Sequence, residues 1–471
     1  MKLTLIRTVL LAGAALALPG LVAAADLTEI YHRALRNDPQ LREAEANHMA
    51  SLEARPQALS SLLPQLSGTG SWAHDELSST SPYFTGSTFF PLATDTKSTT
   101  KQWALQLRQT LFRWDQFATL KQADAQVAQA EVDYRAAQQS LIVRTATAYF
   151  NVLAARDTLD AAEASREAIA RQLEQAEKRF EVGLIAITDV EEAKAANDQA
   201  IATVISAKRT LATSRDQLRE VTGDSVEELA RPGDDMPLVT PDPASEDQWV
   251  KAALEQNLPL SSARLAADIA RENISIARSG HLPTLDLIAK RSGLNSSATT
   301  SYVDPFPGDS TFGQQVSYPA DNWNNDKTIS LQLTVPIYSG GYASSKIREA
   351  VYRHRAAREH LETTARATER ATRDSYLGVI SEISRVQALR QAVESSKTAL
   401  EATEAGYEVG TRTAVDVLLA RQRLFDAQTS YARSRYDYVL DVLALEQATG
   451  TLDESRVTRV NGWLGQPVSV K

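Results

Sequence analysis

Two segments of the chain alternate apolar and polar residues with a period of two, which is the pattern of a strand with one apolar face. The apolar positions of these segments are Trp103, Leu105, Leu107 and Leu111 in the first, and Ile329, Leu331, Leu333, Val335 and Ile337 in the second. A weaker alternating segment precedes each one, across a loop rich in Ser, Thr, Gly and Pro. The pattern predicts two β-hairpins, at 62–113 and 283–338.

A different periodicity follows each hairpin and predicts a very long helix and a return helix. The long helices are expected at about 115–182 and 342–409, and the return helices at about 188–222 and 414–449. Small and apolar residues recur every seven positions in the first long helix: Leu141, Ala148, Ala155, Ala162, Ile169 and Ala176. A helix of this length spans roughly 100 Å and needs lateral partners, so these positions predict the seam of a coiled coil.

The chain contains an internal duplication. Residues 180–191 read Phe-Glu-Val-Gly-Leu-Ile-Ala-Ile-Thr-Asp-Val-Glu, and residues 407–418, at an offset of 227, read Tyr-Glu-Val-Gly-Thr-Arg-Thr-Ala-Val-Asp-Val-Leu. Matches in the same order extend over nearly the whole chain, and each copy is expected to begin with a helix, at about 26–61 and 245–280. The expected organisation is a first repeat at 26–222, a Pro/Gly/Asp-rich linker at 223–244, a second repeat at 245–450 and a C-terminal tail at 451–471.

The first 25 residues have the features of a secretory signal peptide. Lys2 and Arg7 precede an apolar core, and Ala23-Ala24-Ala25 forms a small-residue cleavage site. The alternative is a transmembrane anchor, but the apolar core is well short of the ~20 residues that a membrane span requires. The mature chain is therefore expected to begin at Asp26.

Charge and cysteine content narrow the class of protein. Removal of the two positive charges of the signal changes the formal net charge from −9 to −11, which argues against nucleic acid as a partner. The sequence has no cysteine. This excludes disulfides, cysteine metal sites and a lipid-anchored N-terminal cysteine.

The hairpins have the properties of membrane strands. Each strand is expected to have about the ~9–11 residues that cross a bilayer in a tilted barrel. Four tryptophans lie in or beside these segments, as an interfacial aromatic belt requires: Trp72, Trp103, Trp114 and Trp323. The alternative is a half-buried hairpin of a soluble protein. Because four strands cannot close a barrel in lipid, embedded hairpins require several chains to share one barrel.

The two turns between long and return helices carry the most specific residues. Gly183 and Gly410 are expected to end the long helices in the left-handed conformation. Thr188 with Glu191 fits a capping box, and Thr413 with Asp416 resembles one. These residues either only shape two tight helical hairpins, or their polar members also link one hairpin to the next.

Three stretches resemble the outer-membrane efflux protein family: residues 182–190, residues 410–418 and Pro336-Ile337-Tyr338-Ser339-Gly340-Gly341. The resemblance implies a homotrimer with a mixed fold, a twelve-stranded membrane β-barrel joined to a long α-helical coiled-coil barrel. It implies a passive exit duct in the outer membrane that extends into the periplasm. The implied partners are a periplasmic adaptor protein and an inner-membrane efflux pump or ABC exporter, in tripartite efflux or type I secretion.

The resemblance also implies roles for individual residues. Four residues match the links that keep the periplasmic entrance closed: Thr188, Asp189, Tyr407 and Arg412. Asp416 matches an acidic ring residue at the entrance, whereas Leu419 stands where family members often have a second acid. The adaptor contact is expected at Val182-Gly183-Leu184 and Val409-Gly410-Thr411.

Two other classes of protein agree less well with the sequence. A structural coiled-coil protein, such as an adaptor or envelope spacer, accounts for the long helices but not for the duplicated amphipathic hairpins. An enzyme is disfavoured because the sequence has no Walker A loop, His-Glu-x-x-His or Gly-x-Ser-x-Gly motif, and its six histidines are scattered. We therefore predict no catalytic residues, no metal and no cofactor. The residues do not indicate the transported substrate.

Overall fold

The computed structural model describes residues 25–84, 88–233, 236–305 and 309–470. The predicted signal peptide, apart from Ala25, lies outside the described residues. The helices are α1 Leu27–Asn37, α2 Pro39–Leu52, α3 Ala54–Ser60, α4 Trp114–Glu181, α5 Ile187–Thr222, α6 Glu246–Gln256, α7 Leu258–Arg278, α8 Tyr342–Glu408, α9 Ala414–Ala448 and α10 Glu454–Asn461. The strands are β1 Gln65–Phe84, β2 Phe89–Phe112, β3 Glu228–Pro232, β4 Thr284–Val303, β5 Gln315–Thr334 and β6 Leu464–Ser469.

The first helix of each repeat is interrupted, where the sequence indicated one continuous helix. In the first repeat, Asp38 ends α1 in an extended conformation (ψ 120°) because it precedes Pro39, and α2 starts at that proline. The Asp38 carboxylate accepts a hydrogen bond from the Leu41 backbone N–H, 2.7 Å away, and so caps α2. In the second repeat the equivalent break falls at Asn257 (ψ 127°).

The four long strands form one antiparallel sheet in the order β1-β2-β4-β5. They contain 20, 24, 20 and 20 residues, about twice the length expected from the alternating segments. The Ser- and Thr-rich stretches expected to be loops instead continue the strands, as the pairing of Thr80 with Ala93 and of Thr300 with Tyr318 shows. Threonine favours strands, and its hydroxyl pairs across them, as between Thr96 and Thr300 at 3.1 Å.

The register of the sheet separates an apolar face from a polar one. Residues directly paired across the strands share a face, so Leu66, Leu107, Ala289 and Ile329 form one lateral row of the apolar face. Trp72, Trp103 and Trp323 lie on this same face. Its large side chains are exposed, including Ile329 at 81%, whereas the opposite face carries mostly Ser, Thr, Gln and Asn.

The contacts divide the chain into two units. Among the described residues, one unit comprises those within 25–43, 136–257 and 368–470, and the other comprises those within 44–135 and 258–367. The four-stranded sheet belongs to the second unit. The turns that connect α4 to α5 and α8 to α9 belong to the first.

The coiled-coil seam predicted in the first long helix is confirmed. Its six residues are all buried: Leu141, Ala148, Ala155, Ala162, Ile169 and Ala176. The facing positions of α5 are buried as well, among them Ala193, Val204, Leu211 and Leu218. Small residues on both helices permit this close approach.

The linker and the tail contain regular structure that the sequence did not indicate. β3, within 223–244, pairs antiparallel with β6, within 451–471, and α10 precedes β6. Tyr149 of α4 is fully buried beneath this small sheet and donates a hydrogen bond to the Ala230 carbonyl. The pairing joins segments more than 230 residues apart, which is why local patterns did not predict it.

Candidate functional site: the two helical hairpin tips

We refer to residues 182–186 as the first tip and residues 409–413 as the second tip. In the first tip, the backbone N–H of Leu184 donates to the Arg179 carbonyl and that of Gly183 donates to the Phe180 carbonyl, both at 2.8 Å. This pair of bonds is a Schellman motif, which requires a left-handed residue. Gly183 supplies it with φ of 76°.

The second tip repeats this geometry. The Thr411 N–H donates to the Gly406 carbonyl at 2.8 Å, and the Gly410 N–H donates to the Tyr407 carbonyl at 3.2 Å. Gly410 has φ of 79°. The prediction that both glycines end the long helices in a left-handed conformation is therefore confirmed.

The capping predictions had opposite outcomes. The box at the second tip is confirmed, since the Thr413 hydroxyl accepts from the Asp416 N–H and the Asp416 carboxylate accepts from the Thr413 N–H. The box predicted for Thr188 and Glu191 is wrong. Helix α5 begins one residue before Thr188, and its N-cap is Ala186, whose side chain has no acceptor. Ala186 is the counterpart of Thr413 at the offset of 227, so the duplication itself carried this signal.

Each tip rests on a small hydrophobic cluster within its own hairpin. In the first hairpin, Ala176, Val190 and Ala193 are buried together, with Leu173 and Ile185 packed against them. In the second hairpin, Leu400, Val417 and Ala420 are buried, with Tyr407 and Leu424 packed against them. These clusters fix the direction of the turns and therefore the positions of the polar tip residues.

Of the residues predicted as gate links, Arg412 lies in the second tip and the other three lie in the helical turns that flank the tips, and in the described ranges the structure shows no hydrogen bond or ion pair between the two hairpins through them. Thr188 and Asp189 are in the first turn of α5 and Tyr407 is in the last turn of α8. Arg412 lies over Gly406, where an added Cβ would come within 2.8 Å of the Arg412 Cγ atom. Among the described residues, no hydrogen bond or ion pair joins Asp189 to Tyr407 or to Arg412.

Asp416 is held in the ionised state by its own turn. Hydrogen bonds from the Thr413 backbone and hydroxyl, with the nearby Arg412 charge, lower the pKa of the Asp416 carboxyl. The carboxylate therefore remains negative at neutral pH at the start of α9. Three residues further on, Leu419 is half exposed and adds an apolar group.

No sequence pattern indicated that Arg179 contacts the second hairpin. Its guanidinium lies over the ring of Tyr407, with 5.0 Å between the Cζ atom and the ring centroid. Both residues line a cleft of about 590 Å³ between α4, α8 and α9, together with Gln172, Glu404 and Arg421. Arg179 and Tyr407 are 228 residues apart in the sequence, so local patterns could not indicate that their side chains are in contact.

The tips expose apolar side chains. Val182, Leu184 and Val409 are 69%, 73% and 75% exposed, and these are residues that the resemblance assigns to adaptor docking. Within the described part of the chain, no group of three His, Cys, Asp or Glu residues is arranged to hold a metal ion. No described helix is long and apolar enough to cross a membrane.

Comparison with known proteins defines the class. The family model for "Outer membrane efflux protein" matches residues 30–224 and 249–451. The chain therefore belongs to the outer membrane efflux protein family, which is a family of transport channels and not of enzymes. It is an outer-membrane protein that acts as an exit duct in efflux or secretion.

The chain is similar over most of its length to individual outer-membrane and secretion proteins. The chain is 38% identical to the outer membrane protein TolC of Vibrio cholerae, over 94% of each chain, and 38% identical to TolC of Escherichia coli, over 95% of this chain and 86% of that protein. It is 28% identical to the alkaline protease secretion protein AprF of Pseudomonas aeruginosa, over 91% of this chain and 85% of that one.

Solved structures share the fold. The CmeC outer membrane channel of Campylobacter jejuni matches with a TM-score of 0.69 at 19% identity, over 93% of this chain and 89% of that chain. The outer membrane protein VceC of Vibrio cholerae matches with a TM-score of 0.68 at 19% identity, over 90% of this chain and 96% of that chain.

Proposed function

We propose that three copies of this chain form one duct, with a twelve-stranded barrel in the outer membrane and a helical tunnel in the periplasm that closes at the tips. In this proposal residues 1–25 are the signal peptide, and the repeats at 26–222 and 245–450 each contribute one hairpin and one pair of long and return helices. The segment 223–244 is the linker, near mid-height of the helical tunnel, and 451–471 is the C-terminal tail, whose β6 pairs with β3 of the linker. The duct passes substrates without chemistry of its own and uses no cofactor.

The observation that carries the proposal is the exposed apolar face of the four-stranded sheet. Along β5 this face runs from Leu333 to Trp323, ten residues apart. Ten residues of strand span roughly 33 Å, which a tilt of about 40° reduces to about 25 Å, the height of the apolar band in membrane barrels. Trp72, Trp103 and Trp323 at one end of the band, and Trp114 beyond the end of β2, support an interfacial belt at each border.

The sheet edges support the trimer. Among the described residues, no strand pairs with the outer edge of β1 or of β5. In lipid each unpaired backbone group costs several kcal/mol, so these edges need partners. Pairing β5 of one chain with β1 of the next closes a ring, and three chains of four strands give twelve.

The tips support a gated entrance and a docking surface. Thr188, Asp189, Tyr407 and Arg412 place polar groups at one end of two neighbouring hairpins, and Asp416 adds a fixed negative charge. The exposed Val182-Gly183-Leu184 and Val409-Gly410-Thr411 offer an apolar surface to a periplasmic adaptor. The adaptor in turn connects the duct to an inner-membrane efflux pump or to an ABC exporter of type I secretion.

Detergent extraction followed by mass measurement tests the proposal. We expect the mature protein to require detergent for solubility and to have the protein mass of three chains. A monodisperse monomer that is soluble without detergent would contradict both the barrel and the trimer, and would favour a structural coiled-coil protein.

A further inference from the structure

Each copy of the duplicated motif begins with an aromatic residue, and the two copies differ at the position just before it. The offset of 227 places Tyr407 opposite Phe180 and Gly406 opposite Arg179. Gly406 leaves room for Arg412, because an added Cβ would come within 2.8 Å of the Arg412 Cγ atom. Arg179 instead carries a long cationic side chain at the corresponding position of the first hairpin.

The other cationic side chains of the cleft lie beside carboxylates, whereas that of Arg179 lies against an aromatic ring. Arg171 lies 3.6 Å from Glu167, Lys178 pairs with Glu174, and Arg421 pairs with Glu404. Among the described residues, no carboxylate pairs with Arg179. Its guanidinium contacts the face of the Tyr407 ring.

The contact crosses from one hairpin to the other. Arg179 lies in the last turn of α4, and Tyr407 lies in the last turn of α8 and packs against the cluster of the second hairpin. The nearest additional bond between the hairpins along α4 is that of Gln172, whose amide donates to the Ala414 carbonyl at a long 3.4 Å. Arg179 is therefore placed to hold the end of the second hairpin against the first.

We propose that Arg179 is a positioning residue of the entrance, which clamps Tyr407 through a cation–π contact and so favours the closed arrangement of the two hairpins. This inference rests on the proposed function and adds a residue that acts through the tyrosine ring. The hydroxyl of Tyr407 remains available for the link predicted with the neighbouring hairpin. Opening of the second hairpin requires the ring to leave the guanidinium.

Removal of the clamp is expected to open the duct. A cation–π contact of this kind corresponds to roughly a two- to fivefold change in the open-to-closed ratio, or roughly 10- to 100-fold if three clamps in a trimer release together. We expect Arg179→Gln to raise the open probability in planar bilayers, relative to wild type, by about the factor that separates Tyr407→Leu from Tyr407→Phe. Leucine lacks both the ring and the hydroxyl, whereas phenylalanine lacks only the hydroxyl. Arg179→Lys, which keeps the charge without the planar stack, should lie between Arg179→Gln and wild type.

Three comparisons isolate the clamp. Arg171→Gln is the matched control, since Arg171 lines the same cleft but lies beside Glu167. The double variant Arg179→Gln with Tyr407→Leu should open no more than Tyr407→Leu alone, because the ring that Arg179 contacts is already absent. Arg179→Gln should retain its effect in a Tyr407→Phe background, which keeps the ring and lacks the hydroxyl.

The possible results distinguish failure of the proposed clamp from failure of the proposed duct. Suppose that the wild type conducts. The clamp is then overturned, and the duct stands, if a trimeric Arg179→Gln variant gates as the wild type does. The same conclusion follows if Arg179→Gln adds its full effect to that of Tyr407→Leu. If the correctly folded wild-type trimer forms no channel, the proposed function fails. An opening effect of Arg171→Gln equal to that of Arg179→Gln would also overturn the clamp, since it would show a general effect of charge in the cleft.

Discussion

Trp72 and Trp323 occupy one lateral row of the sheet, at its two opposite edges. Trp72 pairs with Lys101 on β2, Lys101 pairs with Asn295 on β4, and Asn295 pairs with Trp323 on β5. Both indoles lie on the apolar face and are 67% and 72% exposed. In the closed ring proposed above, an indole at each edge of the sheet places an aromatic residue on either side of every seam between neighbouring chains.

The apolar face gives the first prediction. Ile329 lies near the middle of the apolar band, so Ile329→Lys should destabilise the membrane-inserted protein by about 2–4 kcal/mol. The measurement is the fraction of protein recovered as trimer in outer membranes. Thr328→Lys is the control on the adjacent residue of the polar face and should assemble normally. Equal loss in both variants would contradict the assignment of the faces.

The duplication made much of this fold predictable, because each copy repeats the same periodicities. The seam from Leu141 to Ala176 and the glycine turns follow from local patterns of residue type. Local patterns did not indicate the β3–β6 pairing or the contact of Arg179 with Tyr407, because both join residues far apart in the chain. Strand length was underestimated because Ser and Thr resemble loop residues in composition, although their hydroxyls pair across strands.

Capping gives a second prediction, with a control inside the duplication. Thr413→Ala removes the box that starts α9 and should cost about 1 kcal/mol. Thr188→Ala should change stability by less than about 0.5 kcal/mol, since Thr188 does not cap α5. Hydrogen exchange of the amides in the first turns of α5 and α9 measures both effects. Faster exchange at α5 in Thr188→Ala, equal to that at α9 in Thr413→Ala, would contradict the assigned N-caps.

The entrance gives a third prediction. Tyr407→Phe combined with Arg412→Ser removes a hydroxyl and a guanidinium from the second hairpin and should raise channel conductance. Each solvated link contributes only ~0–1 kcal/mol, but a ring of chains multiplies it. Tyr352→Phe with Arg353→Ser makes the same changes on the exposed surface of α8, far from the tip in sequence, and should leave conductance unchanged. Unchanged conductance in a folded tip variant would count against the gate assignment.

Asp441 gives a prediction for pH dependence. Burial, with Glu382 and Asp437 nearby, raises the pKa of the Asp441 carboxyl to about 6. Because the unfolded chain releases this proton near the ordinary value of 3.8, the folded state loses stability as pH rises from about 4 to about 6.

Asp441→Asn should therefore stabilise the protein at pH 8, by about 1 kcal/mol after allowance for partial solvent exposure, and have little effect at pH 4. The measurement is the change in Tm at the two pH values. Asp198→Asn, at an exposed position of α5, is the control and should change Tm little at either pH. A Tm shift of Asp441→Asn that is the same at both pH values would refute the role of its charge.

The central claim, that the chain forms a gated duct, is tested most directly by current through planar bilayers that contain the purified trimer. Under a KCl gradient we expect small unitary steps and a reversal potential that indicates cation preference, because Asp416 remains ionised at the entrance and the mature chain is acidic. A folded trimer that gives no conductance steps would contradict the duct, and a reversal potential of the opposite sign would contradict the role of Asp416.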